Sequence, residues 1–287
     1  MSDWLAARMV LPALRLRGWL RVVWRGGVLA IVTYGCLGLL LMLRVIERPL
    51  CGQARPVTPY LTQFVCRVAL VMFGIRLRVV GQPALGAGAV VANHSGWLDI
   101  FTLNAVQRLV FVSKSEVAGW AGIGILARAV GTVFITRKGS EALAQARVLE
   151  DRLRAGDRLL FFPEGTSSDS LRVLPFKPTL FAAFFADGLR ERLNVQPVSV
   201  VYHAPKGLDA RFYGWWGDME FAPHLLQVLA HPGGAVTVTF HTPVAVADFA
   251  DRKALAAQCG AVIAEAHRAG RSAQGGQQGA QGGGGVF

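Results

Sequence analysis

The sequence predicts an α/β domain, an open sheet with flanking helices, set behind an N-terminal helical hairpin that associates with a membrane. Three observations predict it. From about residue 76, short apolar runs rich in β-branched and aromatic residues alternate with stretches of helical spacing, the signature of strands and helices in turn. Ahead of them stand two long apolar stretches, Gly26–Leu43 and Tyr60–Ile75. Finally, the chain is 53% hydrophobic with a mean hydropathy of +0.40, yet its net charge is +12. Basic chains that bind nucleic acid are polar, whereas a basic and apolar chain suits anionic lipid headgroups. No reader fold and no interleaving of aromatic and basic residues points to nucleic acid.

Residues 1–80 form the basic N-terminus and the hairpin. Gly26–Leu43 is 18 residues without a charge, about 27 Å as a helix and just enough to cross the hydrocarbon core. Arg8, Arg15, Arg17, Arg21 and Arg25 precede it and place the N-terminus in the cytoplasm. A signal peptide is a poor fit, because the basic region is long and no small-residue cleavage site follows. Glu47–Pro56 is a polar, proline-punctuated turn, and Tyr60–Ile75 returns with Arg67 as its one charge. The hairpin either spans twice or lies shallowly in the cytoplasmic leaflet. Arg67 favours a shallow or protein-packed second helix, since a charge at mid-bilayer is costly. The alternative is that Gly26–Leu43 spans while Tyr60–Ile75 packs on the following domain.

That domain is expected over residues 81–269. Ala87–Ala92, Leu109–Val112, Thr132–Thr136, Arg158–Phe162, Val195–Tyr202 and Val236–Phe240 read as strands. Between them Ser140–Leu153 has helical spacing through Leu143, Ala146, Leu149 and Leu153. Residues 270–287 are almost entirely Gly, Gln, Ala and Ser and read as a disordered tail. The four cysteines form no C-x-x-C pair and read as small apolar residues rather than a disulfide framework.

The chemistry gathers at strand ends, the usual site rim of an open α/β sheet. Val90-Val91-Ala92 runs into Asn93-His94-Ser95-Gly96-Trp97-Leu98-Asp99. Imidazole accepts a proton near neutral pH, and a carboxylate fixes its tautomer and steadies the imidazolium. On one continuous helix, residues five apart point about 140° away from each other. A turn at Gly96 with a helix starting near Trp97 lets His94 and Asp99 meet. No G-x-S-x-G serine accompanies the pair, so the hydroxyl to be activated belongs to a substrate. The other histidines show no H-x-x-x-H or H-E-x-x-H spacing, and no metal site is expected.

Four blocks in order resemble the glycerolipid and lysophospholipid acyltransferases, with the bacterial lysophosphatidic acid and lyso-ornithine-lipid acyltransferases as the nearest branch. They are Asn93–Asp99, Gly131-Thr132-Val133-Phe134-Ile135-Thr136-Arg137, Phe162-Pro163-Glu164-Gly165-Thr166, and Val195-Gln196-Pro197-Val198. The resemblance covers roughly residues 57–245 and implies an acyltransferase-type sheet. It implies that His94 is the general base, oriented by Asp99, and that a fatty acyl group passes directly from a thioester to a lysolipid hydroxyl. Acyl-CoA or acyl carrier protein is then a co-substrate, and no bound cofactor is implied. Arg137 and Lys138 are expected to bind phosphate, and Glu164 to hold headgroup or catalytic-site amides. Gly165 and Thr166 are expected to bring backbone to the substrate, Ser95 to reach the site and Pro197 to shape a pocket wall. Because such donors are cytoplasmic, the resemblance implies a bacterial inner-membrane protein whose catalytic domain faces the cytoplasm.

Two departures bear on the acceptor. Gly96 stands where many members carry serine, and Ser167 follows Thr166 where the family often has arginine. One phosphate-facing cation is thus missing, with Arg172 or Lys177 as substitutes. The acceptor expected first is 1-acyl-sn-glycerol 3-phosphate, giving phosphatidic acid. Tyr213–His224 resembles the lyso-ornithine-lipid branch and makes that phosphate-free acceptor the alternative.

Overall fold

The computed structural model describes residues 3–6, 9, 11–52, 54–86, 88–120, 122–136 and 142–280. A single turn, α1 (Asp3–Ala6), precedes the long α2 (Leu16–Cys51) and the shorter α3 (Thr58–Met72). The sheet follows: β1 (Arg76–Val80), β2 (Gly88–Ala92), α4 (Leu98–Val106), β3 (Val110–Lys114), α5 (Ile123–Ala129), β4 (Val133–Ile135), α6 (Ala142–Arg154) and β5 (Arg158–Phe161). Then come β6 (Asn194–His203), α7 (Phe221–Ala230), β7 (Ala235–Phe240), the short β8 (Val244–Ala245) and α8 (Arg252–Ala280).

The strands lie in the order β1-β7-β6-β2-β5-β3-β4, with β8 paired to β6. Of these pairings only β6–β7 and β6–β8 are antiparallel. The six strands expected from the sequence are all present. β2 is buried throughout, and its side chains alternate between two cores. Val90 and Ala92 face one, with residues of α3, α4 and α7; Ala89 and Val91 face the other, with residues of α6 and α8. That two-residue period is what a strand sandwiched between helical layers requires.

The first layer includes the second hairpin helix. Cys66, Ala69 and Leu70 of α3 are core residues, and Arg67 Nε donates to the Ala105 carbonyl at the end of α4 (2.9 Å). Of the arrangements the sequence left open, the second helix takes the protein-packed one. The sheet also begins with β1, upstream of the boundary expected at residue 81.

α2 is twice the length of its apolar run because the polar residues at its ends have partners in the domain. Arg25 donates to the carbonyls of Leu229 (3.1 Å) and His231 (2.7 Å), and Arg21 to that of Ala230 (3.2 Å). These close the C-terminal end of α7, where carbonyls lack helical partners and the helix dipole is negative. At the other end Glu47 is buried and accepts the N–H groups of Val57 (2.7 Å) and Thr58 (3.0 Å), the Thr58 hydroxyl (2.9 Å) and Arg44 (3.2 Å). One side chain of α2 therefore caps α3.

The opposite face of α2 is apolar and open: Leu16, Leu20, Val23, Trp24, Ile31, Tyr34, Met42 and Val45 are all exposed. At the C-terminus α8 remains helical to Ala280, well into the segment expected to be disordered. An anchored helix propagates one residue at a time without a new nucleus, so weak helix formers can follow a well-packed start. Leu255, Ala256, Cys259 and Ile263 supply that start from within the core.

Candidate active site

The register brings the first and third blocks side by side. Val91 of β2 pairs with Phe161 of β5, so the residues leaving both strands emerge together. The chain turns at Gly96 and α4 starts at Leu98 with Asp99 in its first turn. Asp99 folds back as a result. Its Oδ2 meets His94 Nδ1 at 2.8 Å and accepts the N–H groups of Ser95 (2.7 Å) and Gly96 (3.0 Å). The carboxylate is fully buried while His94 keeps part of its ring open. With Nδ1 engaged, Nε2 is the nitrogen free to take a proton.

The third block holds His94 from the other side. Glu164, buried to 1% exposure, accepts the His94 N–H through Oε1 (2.7 Å) and the Leu174 N–H through Oε2 (2.8 Å). Burial pushes its carboxyl up to about 8, against the opposing pull of those two N–H groups. Phe162 stacks on the imidazole, ring centroids 4.0 Å apart and 12° from parallel. Ser168 donates its N–H to the His94 carbonyl (2.8 Å), and its hydroxyl reaches the same oxygen (3.2 Å). Gly165, at φ +70°, makes the turn between Phe162 and these residues, a conformation suited to glycine. Thr166 is exposed beside it.

Behind Asp99 lies the Tyr202 hydroxyl, bonded to Thr102 Oγ1 at 2.9 Å. Burial and, after it, the Asp99 charge raise the phenol well above its usual range. Asn93 ties the first block to β6, exchanging bonds with the Val200 carbonyl (2.9 Å) and N–H (2.8 Å). Pro197 is buried within β6 opposite Val91, beneath the level of His94 rather than beside it. Ser95 is also buried; its carbonyl accepts the Trp215 N–H at 2.8 Å, and its hydroxyl has no partner.

The second block ends at the far edge of the sheet, on β4. Gly131, at φ +84°, lies against Arg55, whose Nη1 donates to the Ala129 carbonyl (2.6 Å). A Cβ at Gly131 would stand 2.7 Å from the guanidinium carbon. Arg137 and Lys138 lie outside the described residues. Of the two substitute cations, Arg172 is held by Asp169 through Nε (3.0 Å) and Nη2 (2.9 Å) and faces the Trp4 ring. Lys177 donates its backbone N–H to Pro163.

Sequence reasoning found the His94–Asp99 pair and Glu164 but gave no role to Ser168 or Phe162. Ser168 was adjacent to a recognised block, and that adjacency was its only signal. The position of Trp215 comes from a segment about 120 residues beyond the first block, and no local pattern announces the contact.

An acyltransferase family model matches residues 76–201. A lyso-ornithine lipid O-acyltransferase of Rhodobacter capsulatus is 58% identical over 253 residues, 88% of this chain and 91% of that protein. A 1-acyl-sn-glycerol-3-phosphate acyltransferase of Neisseria gonorrhoeae is 31% identical over 180 residues, 61% of this chain and 69% of that one. The crystal structure of the 1-acyl-sn-glycerophosphate acyltransferase of Thermotoga maritima superposes with a TM-score of 0.63 at 20% identity, covering 89% of this chain and 97% of that one.

Proposed function

The chain belongs to the acyltransferase family, and from that premise we propose that it passes a fatty acyl group to the free hydroxyl of lyso-ornithine lipid. The lysolipid O-acyltransferase activity goes with the family; the choice of acceptor is argued from one observation. Where a phosphate would call for a cation in the third block, this chain has Ser167, and nearby Arg172 is already neutralised by Asp169. The high identity to the Rhodobacter enzyme agrees. The second reading, 1-acyl-sn-glycerol 3-phosphate as acceptor, is favoured by the similarity to the Neisseria enzyme and by the pair Arg137 and Lys138 that follows β4.

In the proposed reaction His94 Nε2 takes the proton of the acceptor hydroxyl as its oxygen attacks the thioester carbonyl. Asp99 stabilises the imidazolium that forms. When the tetrahedral intermediate collapses, the C–S bond breaks and the imidazolium returns the proton to the departing thiolate. The ester and a free thiol are the products, and the base is regenerated. Glu164 and Ser168 act on the backbone of His94, holding its N–H and its carbonyl. On this reading the thioester carrier is acyl-CoA or acyl carrier protein; both are cytoplasmic, and the proposal therefore sets this domain on the cytoplasmic side of the bacterial inner membrane.

Attachment falls to α2. The helix is apolar enough to span, but it touches the domain from Gly18, against Ala230, to Glu47. We read this helix, tied to the domain near both of its ends, as lying in the membrane plane with its open apolar face in lipid; a crossing is the other arrangement that its apolar run allows. The test uses membranes containing the protein or His94→Ala, a labelled acyl thioester and either acceptor. The expected outcome is labelled ornithine lipid from the wild type and a loss of about 10²–10⁴-fold in the variant, the range for a positioned base. Product from the phosphate acceptor alone would establish the second reading, and activity unchanged in the variant would remove His94 as base.

A further inference from the structure

We propose that Trp120 and Trp215 form a receptor for the acceptor's ammonium group beside His94, which makes them specificity-determining residues. The inference rests on the lyso-ornithine-lipid reading. Trp215 is fastened to the first block in two ways: its N–H donates to the Ser95 carbonyl at 2.8 Å, and its Cβ packs onto the bare backbone of Gly96. A Cβ at position 96 would stand 2.8 Å from that of Trp215, closer than carbon atoms approach. Only glycine at 96 allows the Trp215 backbone and Cβ so near the turn that carries the general base. The departure at Gly96 and the presence of Trp215 are one feature, made by residues about 120 positions apart.

Trp120 completes the wall. It follows the 3₁₀ turn Ser115–Gly119 and meets Trp215 edge to face, centroids 6.0 Å apart at 76°. Trp120 is 39% exposed and Trp215 partly so, leaving the pair reachable. Ser95 Oγ, on the residue after His94, is buried and unpartnered and can accept from an ammonium; Trp215 Nε1 is unpartnered too, but it only donates and takes no part in holding a cation.

The chemistry selects a cation. The face of an indole carries negative potential and attracts a cation within about 6 Å of its centre, more strongly than phenyl or phenol rings do. The same face repels phosphate. The neighbouring Trp216 already works this way, with the Arg211 guanidinium 5.7 Å from its ring. Ornithine has two amines and one carboxyl, so whichever group carries the lipid, at least one amine remains as an ammonium.

The test compares three acceptors on the full chain in membranes: lyso-ornithine lipid, its N-trimethylated form, which keeps the charge, and its N-acetylated form, which loses it. The wild type is expected to prefer both charged acceptors to the acetylated one by about tenfold in kcat/KM. Trp215→Leu and, separately, Trp120→Leu are expected to raise KM for the charged acceptors and erase the preference, with kcat little changed; Trp215→Phe should fall between. The exposed Trp120 variant keeps the test valid if Trp215→Leu does not fold. A preference that survives both leucine variants, or a loss confined to kcat, overturns the receptor while leaving the acceptor reading intact. A wild type that acylates the phosphate acceptor offered in a fourth, parallel reaction and none of these three overturns both.

Discussion

One oxygen atom, Asp99 Oδ2, gathers the His94 ring N–H and two successive backbone N–H groups. It therefore sets both the tautomer of the base and the shape of the turn that presents it. The two roles separate in Asp99→Asn. An amide oxygen in the same place still accepts the backbone N–H groups, so the turn persists, but it carries no charge to stabilise an imidazolium. We expect kcat to fall by roughly 10²–10⁴-fold, with the far-UV dichroism and membrane binding of the wild type. A variant that loses both activity and secondary structure would show that the carboxylate is needed for the fold. At this scale the sequence was legible where partners are near neighbours. His94 and Asp99 sit within one turn and could be paired by inspection. The Glu164 bond to the His94 N–H spans 70 residues and the Trp215 bond to Ser95 about 120, and such contacts exist only once the sheet is assembled.

Among the elements, α8 ties the C-terminal part of the chain to the loop that follows the third block. It packs through Leu255, Cys259 and Ile263, and then buries His267, whose ring engages the Ser170 backbone and leaves Nε2 unpartnered. Ser170 has φ +65°, a strained value for a non-glycine residue, and follows Ser168 and Asp169 in the loop after the third block. Burial, with Arg271 adding to it, brings the imidazole down to about 4. Between about pH 6.5 and 4 the unfolded chain therefore binds a proton that the folded chain refuses, and stability is lost as the pH falls through that window. His267→Asn, which keeps a donor and cannot titrate, is expected to flatten this part of the curve. Thermal midpoints of the two proteins at pH 7 and pH 5 check it; parallel losses would take His267 out of the account. The helix itself was half legible. Its apolar spacing ends near Ile263, and composition alone argued for disorder where the chain continues as a helix. The strands were easier, because β-branched runs bounded by turns leave a strong mark. The exceptions were the two-residue β8 and β1, an edge strand whose Arg76, Arg78, Val79 and Val80 are exposed and which offers little apolar pattern to read.

The whole molecule is a sheet with its reactive rim joined to an apolar raft. Hydropathy made the raft visible at once but could not give its orientation, because a spanning helix and a helix lying flat share the same composition. The flat arrangement proposed above is argued from contacts near the two ends of α2, Arg21 and Arg25 at the end of α7 and Glu47 at the start of α3. Glu47 gives a direct probe of the connection. Glu47→Ala removes a buried acceptor of four hydrogen bonds and leaves the N–H groups at the start of α3 without a partner, at a cost of about 1–3 kcal/mol each for those that stay dry. We expect the hairpin to become sensitive to limited proteolysis near residue 55, with the sheet still resistant; an unchanged digestion pattern would mean the turn is held by other contacts. The exposed stripe from Leu16 to Val45 has a kinetic meaning as well. An enzyme moored by that stripe searches for its acceptor in two dimensions, so the concentration that governs its rate is molecules per unit of membrane area. Adding inert phospholipid at fixed total acceptor should slow turnover in proportion to the dilution, although the bulk molarity of every reactant stays the same.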